Sequence, residues 1–225
     1  MTWASYAFER YILFYYGWMP VLLQATVVTV ELAVTSILLG ITLGLVVALC
    51  RLSGSRLPRT LAYYYALVVR GTPLLVQIII VYFWFPQLGI DLGSKFVSGM
   101  LALGINYGAY ISEIIRAGLE SIDKGQMEAA RSLGMSHGLA LRRIIIPQAA
   151  KRLIPPLGNE FIAMLKDTAL VSVIGMNELL RAGEHVANSR FRGDILLVVA
   201  LIYLGLTSVF SFVAVRVEKA LGVYE

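Results

Sequence analysis

Residues 128–147 read E-A-A-R-S-L-G-M-S-H-G-L-A-L-R-R-I-I-I-P. They lie within the longest hydrophilic stretch of the chain, Arg116–Arg152, which is flanked by apolar runs. This stretch reads as two short capped helices rather than as linker. Asp123, followed three positions later by Gln126, is a capping-box-like start. Met127, Ala130 and Leu133 then form a partial apolar face, and Gly134 is a natural helix stop. Ser136 can cap a second helix through Leu139, Leu141 and Ile145, carrying Arg142 and Arg143 and ending at Pro147. A folded element displayed beneath a membrane bundle suits docking, although a solvated loop without a partner has the same periodicity.

The flanking sequence is that of an integral membrane protein. Of 225 residues, 58% are hydrophobic and only 15% charged, with a mean hydropathy of +0.76. Soluble domains carry about a quarter charged residues. Five stretches are long enough to cross a hydrocarbon core of about 30 Å: Val21–Cys50, Thr60–Phe85, Phe96–Ile115, Ile154–Met176 and Ile195–Val215. The second and fourth contain interior charges and are weaker by hydropathy. The expected fold class is therefore an all-α membrane protein of five transmembrane helices. It forms a single domain over residues 1–225, with residues 116–152 as a cytoplasmic loop within it.

The net charge of +5 is topological rather than a sign of nucleic-acid binding. Arg51, Arg56, Arg59, Arg116, Lys124, Arg131, Arg142, Arg143, Lys151, Arg152, Arg216 and Lys219 fall on one side. Arg10, Lys95, Arg181, Arg190 and Arg192 fall on the other. The positive-inside rule places the N-terminus outside and the C-terminus in the cytoplasm. Met1–Pro20 lacks a basic leader and a small-residue cleavage site. Its aromatic residues (Trp3, Tyr6, Tyr11, Tyr15, Tyr16, Trp18) fit an interfacial segment. The single cysteine, Cys50, excludes an intramolecular disulfide, and His137 and His185 offer no metal-ligand spacing. Gly40 and Gly44, and Gly104 and Gly108, have the small-xxx-small spacing that lets helices approach closely, within the chain or at a subunit interface.

Glu128-Ala129-Ala130, Gly134, Ile144, Ile146 and Pro147 at their fixed spacings resemble the EAA loop of bacterial ABC-importer permeases. The family pattern has Leu where this chain has Ile146. R-G-T-P-L-L-V-Q at Arg70–Gln77, E-I-I-R-A-G at Glu113–Gly118 and L-G-N-E-F-I-A-M-L-K-D-T at Leu157–Thr168 extend the resemblance to the polar amino-acid branch, over roughly residues 15–220. The resemblance implies a type I ABC importer permease fold in the bacterial inner membrane, paired with an identical or homologous permease. It also implies an ATPase subunit docked on the loop through Glu128, Ala129, Ala130, Arg131, Gly134, Arg142 and Arg143, and an extracytoplasmic amino-acid-binding protein. The three arginines suit acidic groups on the ATPase, or equally lipid phosphates. The chain has no G-x-x-x-x-G-K-[ST] phosphate loop, so ATP and Mg are expected on the partner, with no cofactor here and no enzymatic activity.

Ionisable groups inside spans are costly and mark pathways or internal pairs. Arg70 lies ~15 Å into the second span, just before Gly71, Thr72 and Pro73, where the missing proline N–H frees the Val69 carbonyl and interrupts the helix. Glu160, Met164 and Asp167 share a helical face in the fourth span. Arg70 and Thr72 would hold the α-carboxylate of an amino acid, while Glu160 and Asp167 receive its amino group or a cationic side chain. The other reading pairs Arg70 with Asp167 or Glu160 structurally. Glu113 and Arg116, three apart, are placed to pair with each other. By resemblance, Glu160 stands where glutamine and glutamate permeases more often carry a neutral residue, which favours a cationic amino acid. Intramembrane charges alone would also suit a secondary transporter or channel working without ATP.

Overall fold

The computed structural model describes residues 3–222, with side chains from Leu13 onward. Among these residues the chain is helical, with no strand. The side chains of Trp3, Tyr6 and Tyr11 lie outside the described residues.

Helix α1 runs from Trp3 to Leu52, passing through Pro20 without a break, so the first span is part of a longer helix than expected. The second span divides in two. Helix α2 (Arg56–Arg70) stops at Gly71, and α3 (Leu74–Ile79) restarts after Pro73 and continues as a π turn over Ile80–Trp84. The two halves are bent by 104°. Helix α4 (Lys95–Glu120) starts at Ser94, whose hydroxyl accepts from Val97 N–H at 3.1 Å.

The hydrophilic loop folds as α5 (Lys124–Ser132) and α6 (His137–Ala140), capped by Asp123 and Ser136 as expected. Asp123 accepts from Gly125 N–H at 2.7 Å, while Gln126 turns away to accept from Gln148 at 3.4 Å. Gly134, at φ 83°, ends α5, with Gly134 N–H on Arg131 O and Met135 N–H on Ala130 O. The second loop helix does not end at Pro147. It passes through a π turn, Leu141–Ile145, directly into α7 (Ile146–Asp167). The proline's missing N–H falls where the hydrogen-bond ladder steps from five-residue to four-residue spacing, so the helix tolerates it. Leu133 also departs from expectation. It lies past the last helical residue, off the apolar face, and is 83% exposed.

The fourth span is likewise shorter than Ile154–Met176. Helix α7 gives way at Thr168 to a 3₁₀ segment that turns at Gly175, φ 72°, whose carbonyl accepts from Lys95 Nζ at 3.0 Å. Helix α8 (Leu179–Arg190) and α9 (Ile195–Ala220) complete the described chain. Helix α1 (over Leu13–Leu52) and α9 are each long and apolar enough to cross a membrane, and the bent α2–α3 pair makes a third candidate. Helices α4 and α7, ~39 and ~33 Å long at 1.5 Å per residue, are not apolar enough to stand as spans by composition: α4 is rich in glycine, serine and tyrosine, and α7 carries Lys151, Arg152, Glu160, Lys166 and Asp167. The expected five spans are thus not all marked by apolarity.

Three apolar clusters hold the bundle. The largest gathers Leu32, Ile78, Leu103, Ile111, Met164 and Val171 from α1, α3, α4, α7 and the 3₁₀ segment. A second joins Leu22 of α1 to Leu179 and Val186 of α8 and Ile195 of α9. The third, Ile122, Ile145 and Ala149, ties the loop to the bundle. A polar clasp supports the second cluster: Asp194 accepts from Tyr15 Oη at 2.6 Å and from Arg192 Nη2 at 2.5 Å. The Arg192 guanidinium, with the Tyr15 hydroxyl, holds the Asp194 carboxyl well below the usual carboxylate range. The clasp therefore stabilises the fold above the unfolded carboxylate pKa of about 4, and that contribution is lost only as pH falls further, through the depressed folded value.

The glycine pairs act within the chain. A Cβ at Gly104 would lie 2.6 Å from Leu39 Cδ2, and one at Gly44 would lie 2.6 Å from Ile111 Cγ2 and 3.0 Å from Gly108 O. Gly205 of α9 has nothing within 4 Å of the same position. Gly104→Ala is expected to destabilise the protein by about 1–3 kcal/mol, read as a lower unfolding midpoint in detergent. Gly205→Ala should leave the midpoint unchanged or slightly raised.

Candidate functional site

The break between α2 and α3 sets the site. In an apolar surrounding an unsatisfied carbonyl is costly, and Pro73 leaves that of Val69 without its helical donor. Gln77, one turn into α3, supplies the replacement: its Nε2 donates to Val69 O at 2.7 Å, Thr72 Oγ1 at 2.8 Å and Thr72 O at 3.2 Å. Its Oε1 accepts from Asn106 Nδ2 of α4 at 3.0 Å. A single amide thus closes the break and fastens it to the neighbouring helix.

Beside this break lies a cavity of about 340 Å³, lined by Thr72, Pro73, Leu74, Asn106, Tyr107, Tyr110, Glu160 and Asp167. The expected residues Thr72, Glu160 and Asp167 meet here. Met164 does not reach the cavity: it is fully buried in the largest apolar cluster. Asp167 accepts from Tyr107 Oη at 2.8 Å. Among the described residues, neither carboxylate has a cation in salt-bridge range, and Glu160 has no hydrogen-bond donor. Two half-buried carboxylates on one cavity wall suit a cationic ligand.

Arg70 pairs with neither of them. Its Nη1 lies 3.2 Å from Glu113 Oε1, and its guanidinium stacks on the Tyr110 ring, 5.4 Å from the centroid. The structural pairing expected with Asp167 or Glu160 is replaced by one with α4, against which α2 packs. Glu113 also binds Arg51 of α1 and Arg116, whose Nη2 lies 2.8 Å from Oε2. The Glu113–Arg116 pair is as expected, and it proves to be half of a hub joining α1, α2 and α4. Arg116 in turn lies 2.5 Å from Glu120.

Asn106, Tyr107, Tyr110 and Gln77 belong to the site beyond the residues expected there. The available signal was an Asn between the glycines of an otherwise apolar span, and a Gln one turn past the proline. In the loop, Glu128, Ala129, Arg131, Gly134, Arg142 and Arg143 are exposed together, whereas Ala130 is buried and anchors α5.

The family model described as "Binding-protein-dependent transport system inner membrane component" matches residues 40–223. The arginine transport system permease protein ArtQ of Bacillus subtilis is 38% identical over 204 residues, covering 90% of this chain and 93% of that protein. The glutamine transport system permease protein GlnP of Escherichia coli K12 is 37% identical over 206 residues, covering 91% and 94%. A chain from the crystal structure of an amino acid ABC transporter with histidines superposes with a TM-score of 0.87 at 40% identity, covering 92% of this chain and 97% of that one. The MetNI methionine ABC transporter, at 19% identity and a TM-score of 0.77, shares the fold.

Replacing Gln77 by Leu would leave the Val69 carbonyl and the Asn106 amide without their partner. The expected cost is about 1–3 kcal/mol, measured as a lower unfolding midpoint, and Gln77→Glu should not restore the full midpoint because it cannot donate to Val69.

Proposed function

Because the chain belongs to the binding-protein-dependent transport system inner membrane component family, we propose that it is the translocation subunit of an ABC importer for polar, cationic amino acids. The N-terminus would lie outside and the C-terminus in the cytoplasm. A second identical or homologous permease would complete the pathway, an extracytoplasmic binding protein would deliver the amino acid, and separate ATPase subunits would hold ATP and Mg.

The observation that carries the substrate class is the pair of carboxylates, Glu160 and Asp167, on the wall of the 340 Å³ cavity, with no cation in salt-bridge range among the described residues. The similarity to permease proteins of arginine and glutamine transport systems supports a polar amino acid. Glu160 and Asp167 would receive the α-amino group or cationic side chain. Arg70 would turn from Glu113 to the α-carboxylate, its planar donors making a paired contact. Glu113 would keep Arg51 and Arg116, so this exchange leaves no carboxylate stranded. Thr72, already bonded to Val68 O at 2.9 Å and to Gln77, would shape the carboxylate end of the site. Alternating access would then follow from rocking of the bundle around the broken helix.

The loop transmits the ATPase stroke. Its two helices are capped at both starts and anchored by Ala130 and Ile145, a construction that transfers motion rather than absorbing it. Leu133, exposed in the same loop as the exposed Glu128 and Arg131, would add an apolar contact to charged ones, as protein interfaces do.

In proteoliposomes containing the permease, its ATPase and its binding protein, Asp167→Asn or Glu160→Gln should lower arginine uptake about tenfold, equivalent to ~1.4 kcal/mol. The loss should be smaller for glutamine. Undiminished arginine uptake by both variants would remove the carboxylates from the site. Arg142→Glu with Arg143→Glu should leave the protein folded but abolish stimulation of ATP hydrolysis by the loaded binding protein.

A further inference from the structure

A second polar cavity, of about 530 Å³, opens at the end of the bundle that carries the loop. It is lined by Arg51, Arg59, Thr60, Tyr63, Tyr64, Arg116 and Glu120. The transport pathway does not account for it. Arg51 and Arg116 are neutralised there by Glu113 and Glu120, with Arg51 also lying 5.9 Å from the centroid of the Tyr63 ring. Arg59 is exposed, and among the described residues no carboxylate lies in salt-bridge range of it. The cavity therefore carries surplus positive charge and is rimmed by hydroxyl donors from Thr60, Tyr63 and Tyr64, on the first turns of α2.

What adjoins the cavity indicates what fills it. Leu57, Leu61, Tyr64 and Val68, spaced by three or four residues along α2, are 69%, 61%, 57% and 59% exposed. This apolar stripe leads from the cavity along the helix toward the break. Basic pockets beside membrane helices, with tyrosines at headgroup level, match the phosphodiester and hydroxyls of an anionic phospholipid, whose acyl chains need such a stripe.

We propose that this cavity binds the headgroup of an anionic phospholipid, with Arg59 making the phosphate contact and the acyl chains lying along Leu57, Leu61 and Val68. The source is a lipid rather than a free phosphate because the donors and the stripe are continuous. Arg59 touches neither the amino-acid cavity nor the Glu113 hub, so its removal leaves both intact.

The test is native mass spectrometry of the full-length permease–ATPase complex, released from mixed micelles of phosphatidylcholine and phosphatidylglycerol. Phosphatidylglycerol should be retained in preference to phosphatidylcholine. Arg59→Gln should weaken its retention about five-fold, as expected for one arginine near an anionic surface, with Arg59→Lys restoring most of it and both variants melting like the parent. Equal retention of the two lipids, or undiminished retention by Arg59→Gln, would overturn the proposal. Displacement of the bound lipid by millimolar glycerol phosphate would identify a free-anion site and overturn the assignment to lipid.

Discussion

The close approach of α1 and α4 is the constraint on which the rest of the molecule depends. Gly40 and Gly44 face Gly104 and Gly108 at a separation that leaves no room for a Cβ at Gly44 or Gly104. Within a bilayer, helix association relies on packing and polar contacts rather than on exclusion of water, so this interlock fixes register more than any apolar stripe does. It brings Arg51, at the end of α1, to Glu113, a little over one turn beyond Gly108. Glu113 then collects Arg70 from the end of α2 and Arg116 from its own helix.

The same register orients the residues between and after the glycines of α4. Asn106 reaches Gln77 and secures the broken helix, while Tyr107 reaches Asp167 on α7. Tyr110, one turn on, carries the guanidinium of Arg70 on its ring. Helix α4 thus touches each wall of the cavity, and the cavity sits where a helix has been opened at Gly71–Pro73. Opening a helix in an apolar environment exposes backbone groups. Here one glutamine side chain satisfies the exposed carbonyl, so the break is a defined structural element rather than a weak point. The hub then links Arg70, stacked on the cavity-lining Tyr110, with Arg116 and Glu120, at the end of α4 from which the loop departs.

Much of this was legible in the sequence, for physical reasons that differ by element. The capped starts of the loop helices at Asp123 and Ser136, and the stop at Gly134, depend on local backbone chemistry and were read correctly. Pro73 announced an interruption, but not its angle, because the bend depends on contacts that α3 makes with α4. Pro147 reads locally as a terminus, whereas the π turn before it runs straight into α7, which holds the proline in its first turn, and nothing local distinguishes the two outcomes. Glu160 and Asp167 share a wall as their seven-residue spacing requires, yet Met164 between them is taken by the core. The partner of Arg70 is unreadable from spacing, since Glu113 lies more than forty residues away and meets it only where α2 packs on α4. Asn106 and Gln77 carried a signal, being polar residues in apolar runs, but their roles emerge only when the two are seen to share one hydrogen bond.

We place the amino acid between the broken helix and the acidic wall of α7. Cryo-electron microscopy of the permease–ATPase complex loaded with arginine tests it most directly. Density is expected between Thr72 and the Glu160–Asp167 wall, with the Arg70 side chain withdrawn from Glu113. Arginine density elsewhere in the complex, with this cavity empty and Arg70 still paired to Glu113, would contradict it.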